Sequence, residues 1–262
     1  MRQGHLNGIV LRAKILKALI TQGNDSMLTT ILSHLEPIGV RYDGVKANVD
    51  PFTFNNYISK GGTHFVEALQ TLDFSACKNH NYFEGMDEFF EDWSSEPEVA
   101  RFLGQLAFQM KATRVLEIGC FVGLTTAHLA QALSYVGQNG TVYGIDVNKR
   151  FLDTAQKNLQ ALGLSHFFQP IHGASVDTSV VKCLPDDLNL VFIDSYHDFL
   201  NTSQEIEVYS KKLSLKGIII LHDSIKWPGV RKAIALFAEK FHILTFATSN
   251  GNGLSVMTKR PF

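Results

Sequence analysis

Two carboxylates and two imidazoles stand in pairs late in the sequence: Asp194 with His197 three positions on, and His222 beside Asp223. Each pair follows an apolar run, Leu188-Asn-Leu-Val-Phe-Ile193 and Gly217-Ile-Ile-Ile-Leu221. If those runs are neighbouring strands of a parallel sheet, all four side chains converge at one sheet edge. Oxygen-rich clusters of this kind hold Mg²⁺ or similar hard cations, which bind a substrate hydroxyl and stabilise its oxyanion. Asp194, His222 and Asp223 are therefore candidate metal ligands. A hydroxyl is a poor nucleophile until it loses its proton, so a general base beside the metal is also needed, and His197 is the candidate. The competing reading is structural: acids that cap the following helices, and histidines that make ordinary hydrogen bonds.

A second group lies upstream. Glu117-Ile-Gly-Cys-Phe-Val-Gly123 sits where an apolar strand turns into a helix. Ligands of doubly wound sheets bind at the carboxyl ends of the strands, where glycines let the backbone approach and a helix N-terminus offers N–H groups to an anion. Gly119 and Gly123 fit that turn, Thr125 can add a hydroxyl to a bound carboxylate, and Glu117 can accept from a ligand amine. By itself such a turn can equally be close packing without a ligand. Asp146, at the end of the next strand, is placed to take both ribose hydroxyls. Gly173-Ala-Ser-Val176 follows the third strand, with Ser175 a candidate partner for an adenine. Together these imply an adenosine-containing ligand. A dinucleotide turn would read GxGxxG, whereas the middle position here is Phe121, which favours S-adenosylmethionine (SAM) over NAD. Asp194 then stands beside the sulfonium and joins the cofactor-binding candidates.

The elements that must position these groups follow from periodicity. Ser94-Ser95-Glu96-Pro97 reads as a helix start, the helix running to about Lys111, with acids where the helix dipole favours them. Next come a strand at Arg114–Ile118, a helix from Leu124 to Leu133, a strand at Thr141–Ile145 and a helix from Arg150 to Leu162. The runs ending at Ile193 and Leu221 are two more strands, each followed by a helical stretch. Apolar strands alternating with helices mean a parallel sheet covered on both faces. The end differs, because His242–Phe246 and Leu254–Thr258 flank Ser249-Asn-Gly-Asn-Gly253, which is hairpin chemistry. Residues 1–92 lack this alternation and read as a helical cap or oligomerisation segment, leaving 93–262 as the catalytic domain. Between Glu84 and Glu98 seven acids and no base are interleaved with aromatics, a solvated face or a substrate lid.

Composition narrows the partners. A hydrophobic content of 45%, a charged content of 19% and a net charge of −1 give no bias toward polyanions, so nucleic acid is not expected. The three cysteines form no CxxC pair, which suits a reducing cytoplasm. No apolar run approaches the ~20 residues that span a bilayer. The basic amphipathic start, with Arg2, Arg12, Lys14 and Lys17, is expected to be a docked helix rather than a transit peptide, and a homodimer is a reasonable expectation.

From about Ser94 to Lys259 the sequence resembles the metal-dependent small-molecule O-methyltransferases, including the catechol and caffeoyl-CoA enzymes and relatives in macrolide and other antibiotic pathways. Val115-Leu-Glu-Ile-Gly-Cys-Phe-Val-Gly-Leu-Thr-Thr126 matches their SAM loop, Val142-Tyr-Gly-Ile-Asp-Val-Asn148 their ribose strand and Gly173-Ala-Ser175 their adenine segment. The resemblance implies a seven-stranded Rossmann-like SAM-dependent methyltransferase fold. It also implies cofactor roles for Glu117, Gly119, Gly123, Thr125, Asp146 and Ser175. Phe192-Ile-Asp-Ser-Tyr-His197 resembles the segment carrying a metal-binding aspartate and a catalytic base, and histidine as that base is the macrolide-branch choice. His222-Asp223 falls on the pair that completes the metal site. The better-known enzymes have Asp or Glu first, and this departure leaves open either His222 as a ligand or Mg²⁺ as the ion, since imidazole suits Mn²⁺, Fe²⁺ or Zn²⁺ better. The implied reaction is methyl transfer from SAM to a hydroxyl of a polyketide, macrolide, sugar or phenol. The rivals are a nicotinamide-dependent oxidoreductase and a non-catalytic SAM-binding module.

Overall fold

The computed structural model describes residues 94–260 except 138, 247 and 249, so the expectations placed on 1–92 lie outside the described residues. Strand follows helix in strict alternation through most of the chain. In order the elements are α1 (Pro97–Gln109), β1 (Arg114–Ile118), α2 (Leu124–Val136), β2 (Thr141–Asp146), α3 (Lys149–Ala161), β3 (Phe168–His172), α4 (Thr178–Lys182), β4 (Leu188–Ile193), α5 (Phe199–Lys212), β5 (Leu213–His222), α6 (Pro228–Leu236), β6 (Phe241–Phe246) and β7 (Leu254–Lys259). They form one seven-stranded sheet in the order β3-β2-β1-β4-β5-β7-β6. β1 to β5 run parallel, and β7 lies antiparallel between β5 and β6.

Both faces of the sheet are covered, which is why its central strands carry unbroken apolar runs. Along β4, Leu190 and Phe192 enter the core under α1–α3, while Val191 and Ile193 enter the core under α4–α6. Alternating side chains of one strand thus serve two cores. The strands end together at one edge, and Asp146, Asp194 and Asp223 emerge there from three of them.

The expected doubly wound, mostly parallel sheet with its antiparallel end is the observed architecture, and the differences are local. α1 stops at Gln109 because Lys111 turns left-handed at φ 50°. β5 begins at Leu213, four positions before its apolar run, since Leu213 pairs with Leu188 across a register shift. The exposed Leu215 and Lys216 hide that extension from a hydropathy reading. The short α4 was not anticipated.

Candidate functional site

A cavity of about 800 Å³ opens where the parallel strands end, and its walls join the two groups singled out in the sequence. Glu117, Gly119, Thr125, Asp146 and Ser175 line it together with Asp194, His197, His222 and Asp223. Gly123 is the exception among the sequence candidates. It caps α2 at φ 88°, and a Cβ there would meet Ala155 Cβ at 2.9 Å, so its task is to let α2 pack on α3. Gly119 is needed for a different reason: at φ 83°, a Cβ would lie 2.0 Å from the Asp194 carbonyl oxygen. The strand-end segments of β1 and β4 touch at that point.

The first half of the cavity carries groups that could hold an adenosyl group with an amino-acid tail. Asp146 accepts from the backbone N–H of Phe121 at 3.0 Å and of Asn148 at 2.8 Å, which fixes its carboxylate while leaving lone pairs for two further donors. No side chain caps the N-terminus of α2, so its N–H groups are offered to an anion. Glu117 is buried against Thr126, whose hydroxyl donates to it at 2.5 Å. Burial pushes Glu117 up to about 8, with Asp194 and Asp146 adding to the effect, so a ligand ammonium beside it would restore its charge.

The second half is the acid–imidazole cluster. Asp194, His197 and Asp223 each offer a ligand atom within 4.8 Å of one another. Asp223 follows β5 in the left-handed region, at φ 57°, a conformation aspartate tolerates better than most residues. His197 Nε2 lies 2.7 Å from Asp223 Oδ2 and 3.6 Å from Asp194 Oδ1. The nearer contact is an ion contact without an aligned hydrogen bond, and both His197 Nε2 and Asp223 Oδ1 are buried without a hydrogen-bond partner among the described residues. Asp223 Oδ1 keeps its lone pairs, and His197 Nε2 would free one on losing its proton, so the cluster could hold a divalent cation. Of the residues grouped from sequence, Asp194 and Asp223 belong to this trio, and His197 stands with them as the third member. His222 stands behind the carboxylates, with Nδ1 3.3 Å from Asp194 Oδ1 and 3.5 Å from Asp223 Oδ2, because Glu96 holds its Nε2 at 2.6 Å.

Residues 116–224 match a family described as a methyltransferase domain. The chain is 30% identical over 128 residues to a catechol O-methyltransferase of Mycobacterium tuberculosis, an alignment covering 49% of this chain and 55% of that protein. It thus spans about half the length of that relative. Among solved structures, an O-methyltransferase from Bacillus cereus in complex with SAH superposes with a TM-score of 0.58 at 21% identity, covering 78% of this chain and 96% of the other. The O-methyltransferase TomG from Streptomyces achromogenes, involved in tomaymycin synthesis and solved with SAM, gives 0.58 at 19% identity over 78% and 94%.

Several residues at the site escaped the sequence reading. Ser95 donates to Asp194 Oδ2 at 2.6 Å, and Thr248, from the hairpin loop, donates to Glu96 Oε1 at 2.6 Å. Glu96, read from sequence as a dipole-favoured acid, is buried at 3% exposure and paired to His222. Burial works against its charge, yet the hydrogen bond and charge of His222 hold Glu96 below the usual carboxylate range. Asp194 and Asp223 are likewise held low against burial, mainly by the neighbouring imidazoles. Burial opposes the charge of His197, but Asp194 and Asp223 push it up to about 9. Trp227 stacks on the His197 ring, with centroids 5.1 Å apart and planes 16° from parallel.

Proposed function

We propose that this chain is a SAM-dependent O-methyltransferase acting on a hydroxyl of a small molecule, with a divalent cation assisting. The observation that carries this reading is the shared cavity: residues suited to the cofactor and the acid–imidazole cluster line the same 800 Å³ space. SAM bound at Glu117, Gly119, Thr125 and Asp146 supplies an electrophilic methyl group on its sulfonium. Asp194 and Asp223 would hold a cation, Mg²⁺ or Mn²⁺, which would supply Lewis-acid stabilisation of a hydroxyl's developing negative charge.

The chain's own residues do the rest. Asp146 and the N-terminus of α2 fix the two ends of the donor, and β1 and β4 meet at Gly119 so that the donor lies against Asp194. His197, braced by Trp227, accepts the hydroxyl proton at Nε2. Alignment of nucleophile and methyl would contribute much of the acceleration, since a well-oriented pair gains effective molarity. Trp227 and Tyr196, both partly exposed and lining the cavity, present flat surfaces for a ring. A phenolic acceptor fits them and agrees with the catechol enzyme among the relatives. A natural-product ring of similar shape fits equally well.

The test is calorimetric titration of SAM, with and without Mg²⁺ or Mn²⁺, into wild type and the Asp146→Ala and Asp194→Ala variants. The expected result is micromolar SAM binding lost in Asp146→Ala and a metal signal lost in Asp194→Ala. SAM binding without any metal signal would leave base catalysis alone. Absence of SAM binding in every condition would overturn the reading.

A further inference from the structure

A fifth acid lines this cavity, and neither the methyl-transfer chemistry nor the metal cluster uses it. Glu205 is fully buried on α5 and contributes to the cavity wall. Asn201, Glu205 and Tyr209 stand four residues apart and so share one helix face. Glu205 receives the Ser175 hydroxyl at 2.6 Å on Oε1 and the Ser195 hydroxyl at 2.8 and 2.9 Å on its two oxygens. Asn201 gives it a further side-chain hydrogen bond, while the Tyr209 hydroxyl donates to the Ser175 carbonyl. Ser175 follows β3 and Ser195 follows β4, so one carboxyl on α5 ties together two strand-end loops that face the cavity.

The consequence lies in hydrogen-bond polarity. A serine hydroxyl has one proton and two lone pairs. With both protons directed at Glu205, the Ser175 and Ser195 oxygens can only accept from whatever enters the cavity. This stretch of wall adjoins Asp146, whose carbonyl accepts the Gly173 N–H at 3.1 Å, so on the adenosyl reading of the cavity the base would lie along Gly173–Ser175. At position 6 adenine carries an amine, a donor, whereas a 6-oxopurine carries an acceptor.

We propose that Glu205 is a positioning residue that makes this subsite specific for a 6-aminopurine, by committing the Ser175 and Ser195 protons to itself. The proposal rests on the reading of the cavity as an adenosyl-cofactor site. A ligand with a 6-oxo group would set its oxygen against serine lone pairs and leave those acceptors unpaired, and sites built to pair a polar group discriminate strongly against its absence. In Glu205→Gln the carboxamide donates to one serine, whose own proton becomes free to face the ligand.

The experiment is calorimetric titration of S-adenosylhomocysteine (SAH) and its 6-oxopurine analogue, S-inosylhomocysteine, into the full chain. Wild type is expected to bind SAH about 100-fold more tightly. In Glu205→Gln, shown folded by far-UV circular dichroism, that ratio should fall below about 10-fold, because the inosyl ligand gains a donor. Ser175→Ala offers an independent check: it removes an acceptor and should weaken SAH while leaving the inosyl ligand unchanged. Equal wild-type affinities, an unchanged ratio in folded Glu205→Gln, or equal losses for both ligands in Ser175→Ala would each overturn the proposal. A wild type that binds neither ligand would instead overturn the cofactor reading on which it stands.

Discussion

At the scale of single residues, His197 decides how the site handles a proton. Its imidazole faces Asp194 and Asp223, and these carboxylates raise it to about 9 despite its burial. A group raised above its unfolded value of about 6.5 contributes stability that is complete below that value and lost as pH rises through about 9. The same proton blocks Nε2 as a base near neutrality. In metal-stripped protein the methyl-transfer rate should climb about tenfold per pH unit and level off near 9. A cation between the carboxylates takes the place of that proton and moves the inflection to lower pH. Rate profiles measured in EDTA and in Mn²⁺, for wild type and His197→Gln, check this. One inflection shared by both wild-type conditions, or an alkaline limb that survives in His197→Gln, would remove the base role. A large loss of Mn²⁺ affinity in His197→Gln would make it a ligand instead.

At the scale of elements, the segment entering α1 braces the end of β5. Glu96 is the residue preceding α1, yet its side chain makes no cap to its own helix and reaches His222, 126 positions away. Breaking a buried ion pair at one partner strands the other, at a cost of about 3 kcal/mol or more, and Glu96→Gln should lose stability of that order in chemical denaturation. The sign with pH follows from the directions. Glu96 is depressed, so its contribution is present above the unfolded carboxylate value of about 4.3 and fades as pH falls through the folded one; His222 is raised, so its contribution persists through neutrality. The wild-type advantage over Glu96→Gln should therefore be full near pH 6 and shrink in acid, and a difference unchanged down to pH 3 would mean that the pair is not what stabilises. This arrangement also shows where the sequence was legible. Asp146, Asp194 and Asp223 could be placed because each ends or follows an apolar strand, a local pattern. Glu96, Ser95 and Thr248 could not, because their partners are set by how distant segments pack. Glu205 left only a faint signal, one acid on a buried helix face shared with Asn201 and Tyr209. Spacing could bring both histidines to the sheet edge, but the Glu96 contact that holds His222 Nε2 could not be read from it.

At the scale of the whole described fold, the cavity is walled by the segments that follow β1, β2, β3, β4 and β5, so a ligand there ties together loops joined otherwise through the sheet beneath them. The β6–β7 connection adds a brace from the antiparallel side, since Ile225 and Lys226 donate their backbone N–H groups to the Asn252 carbonyl at 2.8 and 3.0 Å and hold the turn that carries Asp223. A ligand that binds only the folded state stabilises it by about 2.7 kcal/mol at 100 times its dissociation constant. For a domain of this size that corresponds to a rise of roughly 5–10 °C in Tm. SAH should therefore raise Tm by that amount, in one cooperative transition, and Asp146→Ala should abolish the shift without lowering the ligand-free Tm by a comparable amount. The reason for the second expectation is that, among the described residues, Asp146 accepts hydrogen bonds only from backbone N–H groups, of Asn148 beside it and of Phe121 in the β1–α2 turn. Differential scanning calorimetry of wild type and Asp146→Ala, with and without SAH, measures both quantities. A wild-type Tm indifferent to saturating SAH would mean that the strand-end loops are not coupled through the ligand, whatever its affinity. A shift that persists in Asp146→Ala would place the ribose contact elsewhere along the same edge.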